Sequence, residues 1–332
     1  MWPLLVSPPS GGKTEIIRAL SGAPEVYPLS SLTAQTLVSG MGKGKSLLPR
    51  LDDMGRSFLT LKDFTTVLEL HRDARAEILA QLRELYDGSF RKEFGTGEGV
   101  EWEGRLGFLA GVTPVIDTRH AATAILGERF SYLRLTQPPR KQLADRILAG
   151  GVSETEMRAE LKDAVSRFFA GLVLGDLPAM DDETRSWLIG LGDLASFARS
   201  AVQRESYTHE ILVVPEPEAN PRLLKQLAGL YRALLMIGSP QAEARRIVVK
   251  VARDSAPVAR VAVLRTMADE DRPLSTSDLA TRVALPTATA ARVADDLVAL
   301  RLMDCERRGS GKANVYTLTP LGARMWVNAG WL

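Results

Sequence analysis

The stretch Leu4-Leu5-Val6-Ser7-Pro8-Pro9-Ser10-Gly11-Gly12-Lys13-Thr14 decides how the rest of the chain is read. Its first three residues predict a short buried strand, Ser7 to Thr14 a loop, and Glu15 to Leu20 the helix that follows. Gly11 and Gly12 allow backbone N–H groups to turn inward around phosphate oxygens, and the start of the helix adds a favourable dipole. Lys13 is placed to reach the β- and γ-phosphates of a nucleotide and Thr14 to hold Mg²⁺, with Ser7 and Ser10 completing the loop. Ser7 stands where glycine is usual. The plainer alternative is a strand–turn–helix carrying a chance Gly-Lys-Thr.

Outward from this loop, short apolar runs alternate with helical patterns. Strands are predicted at Glu25–Leu29, Ser57–Lys62, Leu106–Val112 and Phe130–Leu135, and helices at His71–Tyr86 and Thr118–Leu126. Phe90 to Trp102, with glycines in its middle, predicts a β-hairpin. Such alternation favours an α/β fold with a mainly parallel, three-layer sheet over residues 1–136. Residues 137–255 turn helical, interrupted at Pro215-Glu216-Pro217, and residues 256–332 form a third pattern.

Asp63 ends the strand that begins at Ser57. An acid there sits opposite the phosphate loop, where it holds Mg²⁺ or polarises the attacking water. Lys62 occupies the place of a second acid, so both roles remain open; Glu69 and Asp73 are nearby helpers in sequence. The alternative is that Asp63 only caps the next segment. A strand inserted between the loop strand and the acid strand would bring Thr113 beside the γ-phosphate. Gly127-Glu128-Arg129-Phe130 places Arg129 where it could reach a neighbouring subunit's nucleotide, or serve as a surface arginine in a turn. Asn220-Pro221-Arg222 opens a helix from which Arg222 could reach the γ-phosphate.

This order of elements resembles the AAA+ family of ATPases over about residues 2–255. Glu-Arg-Phe before a strand is similar to the arginine-finger element of minichromosome-maintenance-type helicases. Lys62-Asp63-Phe64-Thr65, Asp87-Gly88-Ser89-Phe90 and Ala110-Gly111-Val112-Thr113-Pro114 resemble uncharacterised ATPases of phages and mobile elements. The resemblance implies ATP and Mg²⁺ as cofactors, and a helical lid over 137–255. It also implies Thr113 as sensor 1, Arg129 as the finger and Arg222 as sensor 2, in a homo-oligomer that could be a ring. Because the first strand stands almost at the start of the sequence, the N-terminal segment that usually helps clasp adenine in that family is expected to be missing or very short. The Phe94–Trp102 tip matches a helicase pore hairpin in position but not in charge, since acids outnumber bases around it.

From Ala256 the order is helix, helix, helix, then two strands about Gly309-Ser310-Gly311. It resembles a MarR- or ArsR-like winged helix-turn-helix, including the ending Leu318-Thr319-Pro320-Leu321-Gly322. Residues early in the third helix, Thr287, Thr289 and Arg292, would face a DNA major groove. Arg307, Arg308 and Lys312 of the wing would meet phosphates or the minor groove. A winged helix used for protein contacts is the alternative.

Composition bounds these readings. Lys plus Arg number 42 against 40 Asp plus Glu, a net charge of +2, so a DNA contact must come from a local patch. One cysteine, Cys305, excludes an internal disulfide and a cysteine-built zinc site, and fits a reducing cytoplasmic location. No apolar run approaches the roughly 20 residues of a membrane span, and no signal peptide is expected. Three functions compete. The first is an oligomeric ATP-driven motor or helicase loader of replication or mobile-element DNA. The second is an ATP-gated transcription regulator binding a specific operator. The third, a small-molecule kinase, is disfavoured by the helical region, Arg129 and the DNA-binding pattern.

Overall fold

Central strands of a parallel sheet are covered on both faces, so they carry near-continuous apolar runs rather than an alternation. The computed structural model follows this rule. It describes residues 1–39, 46–95, 99–118, 129–150, 153–205, 207–213, 216–217, 220–270, 272–309 and 313–331. Strand β1 (Trp2–Val6) is buried at four of its five positions. The sheet continues with β2 (Val26–Leu29), β3 (Phe58–Leu61), β6 (Gly107–Val112) and β7 (Phe130–Arg134), in the order β2-β3-β6-β1-β7. β6 is parallel to both β1 and β3, so the strand between loop strand and acid strand is present. Between β3 and β6 the chain makes a separate antiparallel hairpin, β4 (Ser89–Glu93) and β5 (Gly99–Glu103), with Phe90 opposite Trp102.

The chain divides into two compact units. The first comprises residues 1–119 and 132–174. It holds the sheet with helices α1 (Lys13–Ala19), α2 (Leu47–Asp53), α3 (Thr65–Leu68), α4 (Arg72–Asp87) and α5 (Val115–Thr118). Its last helices are α6 (Arg140–Leu148) and α7 (Glu154–Ala170). α4 buries Ile78, Leu79, Leu82 and Leu85, a stripe at helical spacing, and ends at Gly88 in the left-handed region (φ 95°). α7 starts with a capping box, Ser153 and Glu156, and is pinned to the α1 side of the sheet. Arg158 donates to both Glu15 oxygens at 2.9 Å, and Ser166 Oγ donates to the Gly22 carbonyl at 2.7 Å. The helix predicted over 118–126 lies almost wholly outside the described residues.

The second unit comprises residues 120–131 and 175–332. Its centre is α8 (Asp182–Arg199), which buries Leu188, Leu191, Leu194 and Ala198 against α9 (Pro221–Met236), α10 (Gln241–Asp254) and α14 (Pro320–Ala329). α11 (Val258–Glu270), α12 (Thr276–Arg282) and α13 (Thr287–Ala299) follow, with a sheet ordered β10 (Leu274–Ser275), β12 (Val315–Leu318), β11 (Met303–Glu306). Ser275 and Thr319 cap α12 and α14 by accepting from Asp278 N (3.1 Å) and Gly322 N (2.9 Å). The helix–helix–helix–hairpin order predicted after Ala256 is therefore present, with a third strand added. The stretch expected to be helical over 137–255 contains strands as well. α8 stops at Arg199, and β8 (Gln203–Arg204) pairs antiparallel with β9 (Ile211–Val213). The helical stretch 137–255 is thus shared out, α6 and α7 in the first unit and α8 to α10 in the second.

Gly190 of α8 meets α14 so closely that a Cβ there would lie 2.9 Å from both Cβ and carbonyl oxygen of Asn328. Gly190→Leu is expected to destabilise the second unit by about 1–3 kcal/mol through overpacking, read as a lower unfolding midpoint in denaturant. An unchanged midpoint would show that the α8–α14 crossing can open at no cost.

Candidate nucleotide site

The loop after β1 is anchored at its first residue, where Ser7 N donates to the Val112 carbonyl of β6 at 3.2 Å. Gly11 N then turns back to Pro8 O at 3.2 Å. Ser10 (φ 61°) and Gly12 (φ 83°) both adopt the left-handed conformation, which costs a serine more than a glycine. Gly11 is required by space. A Cβ there would fall 2.2 Å from Ser7 Oγ, so the serine at the first loop position leaves room only for hydrogen.

Lys13 is buried, and its ammonium donates to three oxygens of its own loop. These are Ser7 O at 2.6 Å, Pro8 O at 2.9 Å and Ser7 Oγ at 3.2 Å. Burial pushes its pKa down, and the negative charge of Asp63 opposes that shift. Asp63 is exposed beyond the end of β3. Its Oδ1 accepts the Thr65 N–H at 2.8 Å, so one carboxylate oxygen does cap the next turn. Thr113 follows β6 directly. Its N–H donates to Thr65 Oγ1 at 3.0 Å, and the Thr65 hydroxyl donates to Thr113 Oγ1 at 3.3 Å. Phe64 N donates to Gly111 O at 2.6 Å, and a Cβ on Gly111 would meet Lys62 O at 2.6 Å and Lys13 Cβ at 3.5 Å. The ends of β3 and β6 and the start of α1 are therefore packed into one corner, which brings Lys13, Asp63 and Thr113 together.

Two polar residues of this corner were not among the sequence candidates. Thr65 joins Asp63 to Thr113, and Gln137, just past β7, donates from Nε2 to Gly11 O at 3.3 Å. Thr65 had a signal, a threonine two residues after a strand-end acid, the spacing of a side-chain turn. Gln137 had none, because nothing local shows which strand neighbours the loop. Glu69 and Asp73 are exposed, and Asp73 pairs with His71 at 3.7 Å.

Mg²⁺ bound with a nucleotide takes one or two protein oxygens, the rest coming from phosphates and water. The half-buried Thr14 hydroxyl and the Asp63 carboxylate form a donor set of that kind. Among the described residues no group of three His, Cys, Asp or Glu side chains could hold a metal by itself.

The remaining candidates lie in the second unit. Arg129 is buried (6% exposed), with its carbonyl accepting from Gln226 Nε2 at 3.1 Å. Arg222 is half-buried in the first turn of α9. Thr287, Arg292 and Arg307 are exposed, Thr289 is half-buried, and Arg308 is exposed and bonded to Glu306. Lys312 lies outside the described residues. No helix of the described residues is long and apolar enough to cross a membrane. No family model and no curated protein sequence matches the chain.

Thr65→Val removes both bonds to Thr113 and leaves the half-buried Thr113 N–H without its Thr65 acceptor. Nucleotide turnover is expected to fall about tenfold, the kinetic equivalent of one lost hydrogen bond, while Thr65→Ser retains it. Equal rates for Val and Ser variants in a steady-state assay would remove Thr65 from the site.

Proposed function

We propose that this protein binds and hydrolyses ATP at the loop of Ser7 to Thr14, and that its C-terminal module contacts DNA. The observation that carries the first part is the placement of β6 between β1 and β3, which sets Thr113 and Asp63 beside Lys13. A loop with Gly-Lys-Thr alone binds phosphate; an acid and a hydroxyl at its side supply what hydrolysis needs. On nucleotide binding, the Lys13 ammonium exchanges its three loop oxygens for phosphate oxygens. Thr14 and the second oxygen of Asp63 would hold Mg²⁺, which would supply charge neutralisation on the phosphates. The Asp63 carboxylate orients the water, and the Thr113 hydroxyl donates toward the γ-phosphate. Water oxygen bonds to the γ-phosphorus as its bond to the bridging oxygen breaks, leaving ADP and inorganic phosphate.

The strand order and this set of residues fit an AAA+ type of ATPase, and the three helices with β10–β12 fit a winged helix. Within that reading, two observations favour an ATP-gated DNA-binding switch over a fast motor. The chain has Lys62 where a second acid would stand, and Asp63 is the carboxylate whose charge reaches Lys13. Arg129, the sequence candidate for a finger acting on a neighbour, is buried within its own chain. A finger must project to a neighbouring nucleotide, so the motor reading requires Arg129 to be re-exposed on assembly.

Lys13→Ala is expected to abolish ATP binding, measured by calorimetry, and turnover with it. Normal values for both would end the nucleotide assignment. The two modes separate in a turnover assay with and without non-specific DNA: slow and unstimulated for a switch, accelerated for a motor.

Mixing Arg129→Ala with Lys13→Ala chains tests the finger. A switch predicts no recovered activity, whereas a finger acting in trans regenerates intact interfaces, each faster by about 10³-fold or more than the mutant ones.

A further inference from the structure

We propose that the groove between the β8–β9 hairpin and the outward face of α13 binds a single strand of nucleic acid. This deepens the DNA-contact reading of the C-terminal module and rests on it. α13 turns Ala290, Ala294 and Leu297 inward. Its opposite face, at Ala288, Ala291 and Arg292, lines a groove of about 910 Å³. The other walls are the hairpin, at His209 and Glu210, and β11 with the residue beyond it, Arg307.

A major groove about 12 Å wide admits one α-helix of about 10–12 Å diameter. α13 does not offer itself alone, because the hairpin is latched along its outward side. The Arg204 guanidinium donates to Asp296 Oδ1 at 2.7 and 2.9 Å and to the Arg292 carbonyl at 3.0 Å. Arg260 takes the other Asp296 oxygen at 3.0 Å, and Arg204 also holds the His209 carbonyl at 2.6 Å, which fixes the hairpin tip. A helix with a hairpin fastened beside it is too broad for the duplex groove, whereas one strand can lie between the two.

Arg292 and Arg307 face the groove from two walls, are exposed, and form no ion pair among the described residues. A phosphate between them would be held from both sides. Asp295 also lines the groove; its carboxylate accepts the Tyr316 hydroxyl at 3.0 Å and keeps its charge, so Asp295 and Glu210 both oppose the two guanidinium groups, with Asp295 held back against Tyr316. Alanines at 288 and 291 leave a flat apolar floor for sugar and base faces. At the hairpin tip the Tyr207 ring is 90% exposed, an aromatic face open to stacking.

The test uses the full chain, a labelled short oligodeoxythymidine and a duplex of equal length, with fluorescence anisotropy over a salt series. The single strand is expected to bind tighter than the duplex. Tyr207→Ala should weaken strand binding about tenfold without changing its salt dependence. Arg292→Ala with Arg307→Ala should reduce the slope of log affinity against log salt by about 1.4, two phosphate contacts on a single strand. Glu210→Gln should tighten binding. Duplex binding with no response of strand affinity to these variants overturns the groove and leaves the module reading intact. A rise in duplex affinity on Arg204→Ala would make the hairpin a cover and also overturns it. Failure to bind either nucleic acid removes the module reading as well.

Discussion

Ala110 is in register with Leu4 of β1 on one side and Leu61 of β3 on the other. That double pairing is the constraint on which the site depends. Parallel strands sharing one register end at one level, so Ser7, Asp63 and Thr113, each just beyond its strand, arrive at the same edge of the sheet. Gly111 then permits the close approach of Lys13 and the Lys62 carbonyl. A side chain at 111 would separate the loop from the acid, whatever the loop itself contained. The chemistry of the loop is local, but its usefulness is topological.

This explains which parts were legible in the sequence. The Gly-Lys-Thr loop, the strand-end acid and the strand-end threonine each announce themselves within a few residues. The parallel sheet follows from alternating apolar runs and helices, and the caps at Ser275 and Thr319 mark their helices directly. Thr65 and Gln137 were not legible as partners, because each acts across the tertiary fold, on Thr113 and on the loop. The β8–β9 hairpin was hidden for another reason. β8 is two residues long, too short for an alternation, and Gln203 and Arg204 read as a helical continuation. What stops the helix at Arg199 is tertiary. The carbonyls of Ala198 and Ser200 accept from the buried Arg260 guanidinium at 3.1 and 2.6 Å, which satisfies the end of α8 from outside it.

Arg260 shows how the second unit is organised around charge as well as packing. Burial pulls its pKa down, while Asp296 holds it up. The same carboxylate serves Arg204, so one acid of α13 ties α11, the end of α8 and the hairpin together. Two guanidinium groups on one carboxylate leave a surplus positive charge beside α13, close to the Arg292 carbonyl that Arg204 also holds. The orientation of α13 is therefore set by directional bonds at its C-terminal half and by apolar contacts at Ala290, Ala294 and Leu297.

The position of the Lys13 ammonium has a consequence for selectivity among anions. With three internal oxygens at 2.6 to 3.2 Å, the Lys13 ammonium is electrostatically satisfied by its own loop. An incoming anion must outcompete these tethered oxygens, which lose no translational freedom when they bind. A lone phosphate or sulfate, with one cluster of oxygens to offer, gains little from that exchange. Under the proposed function, a polyphosphate chain would engage the backbone N–H groups first and meet the ammonium as an intramolecular event. A loop of this kind would discriminate by ligand length as well as by charge, a property that follows from a serine where glycine would have supplied one acceptor fewer.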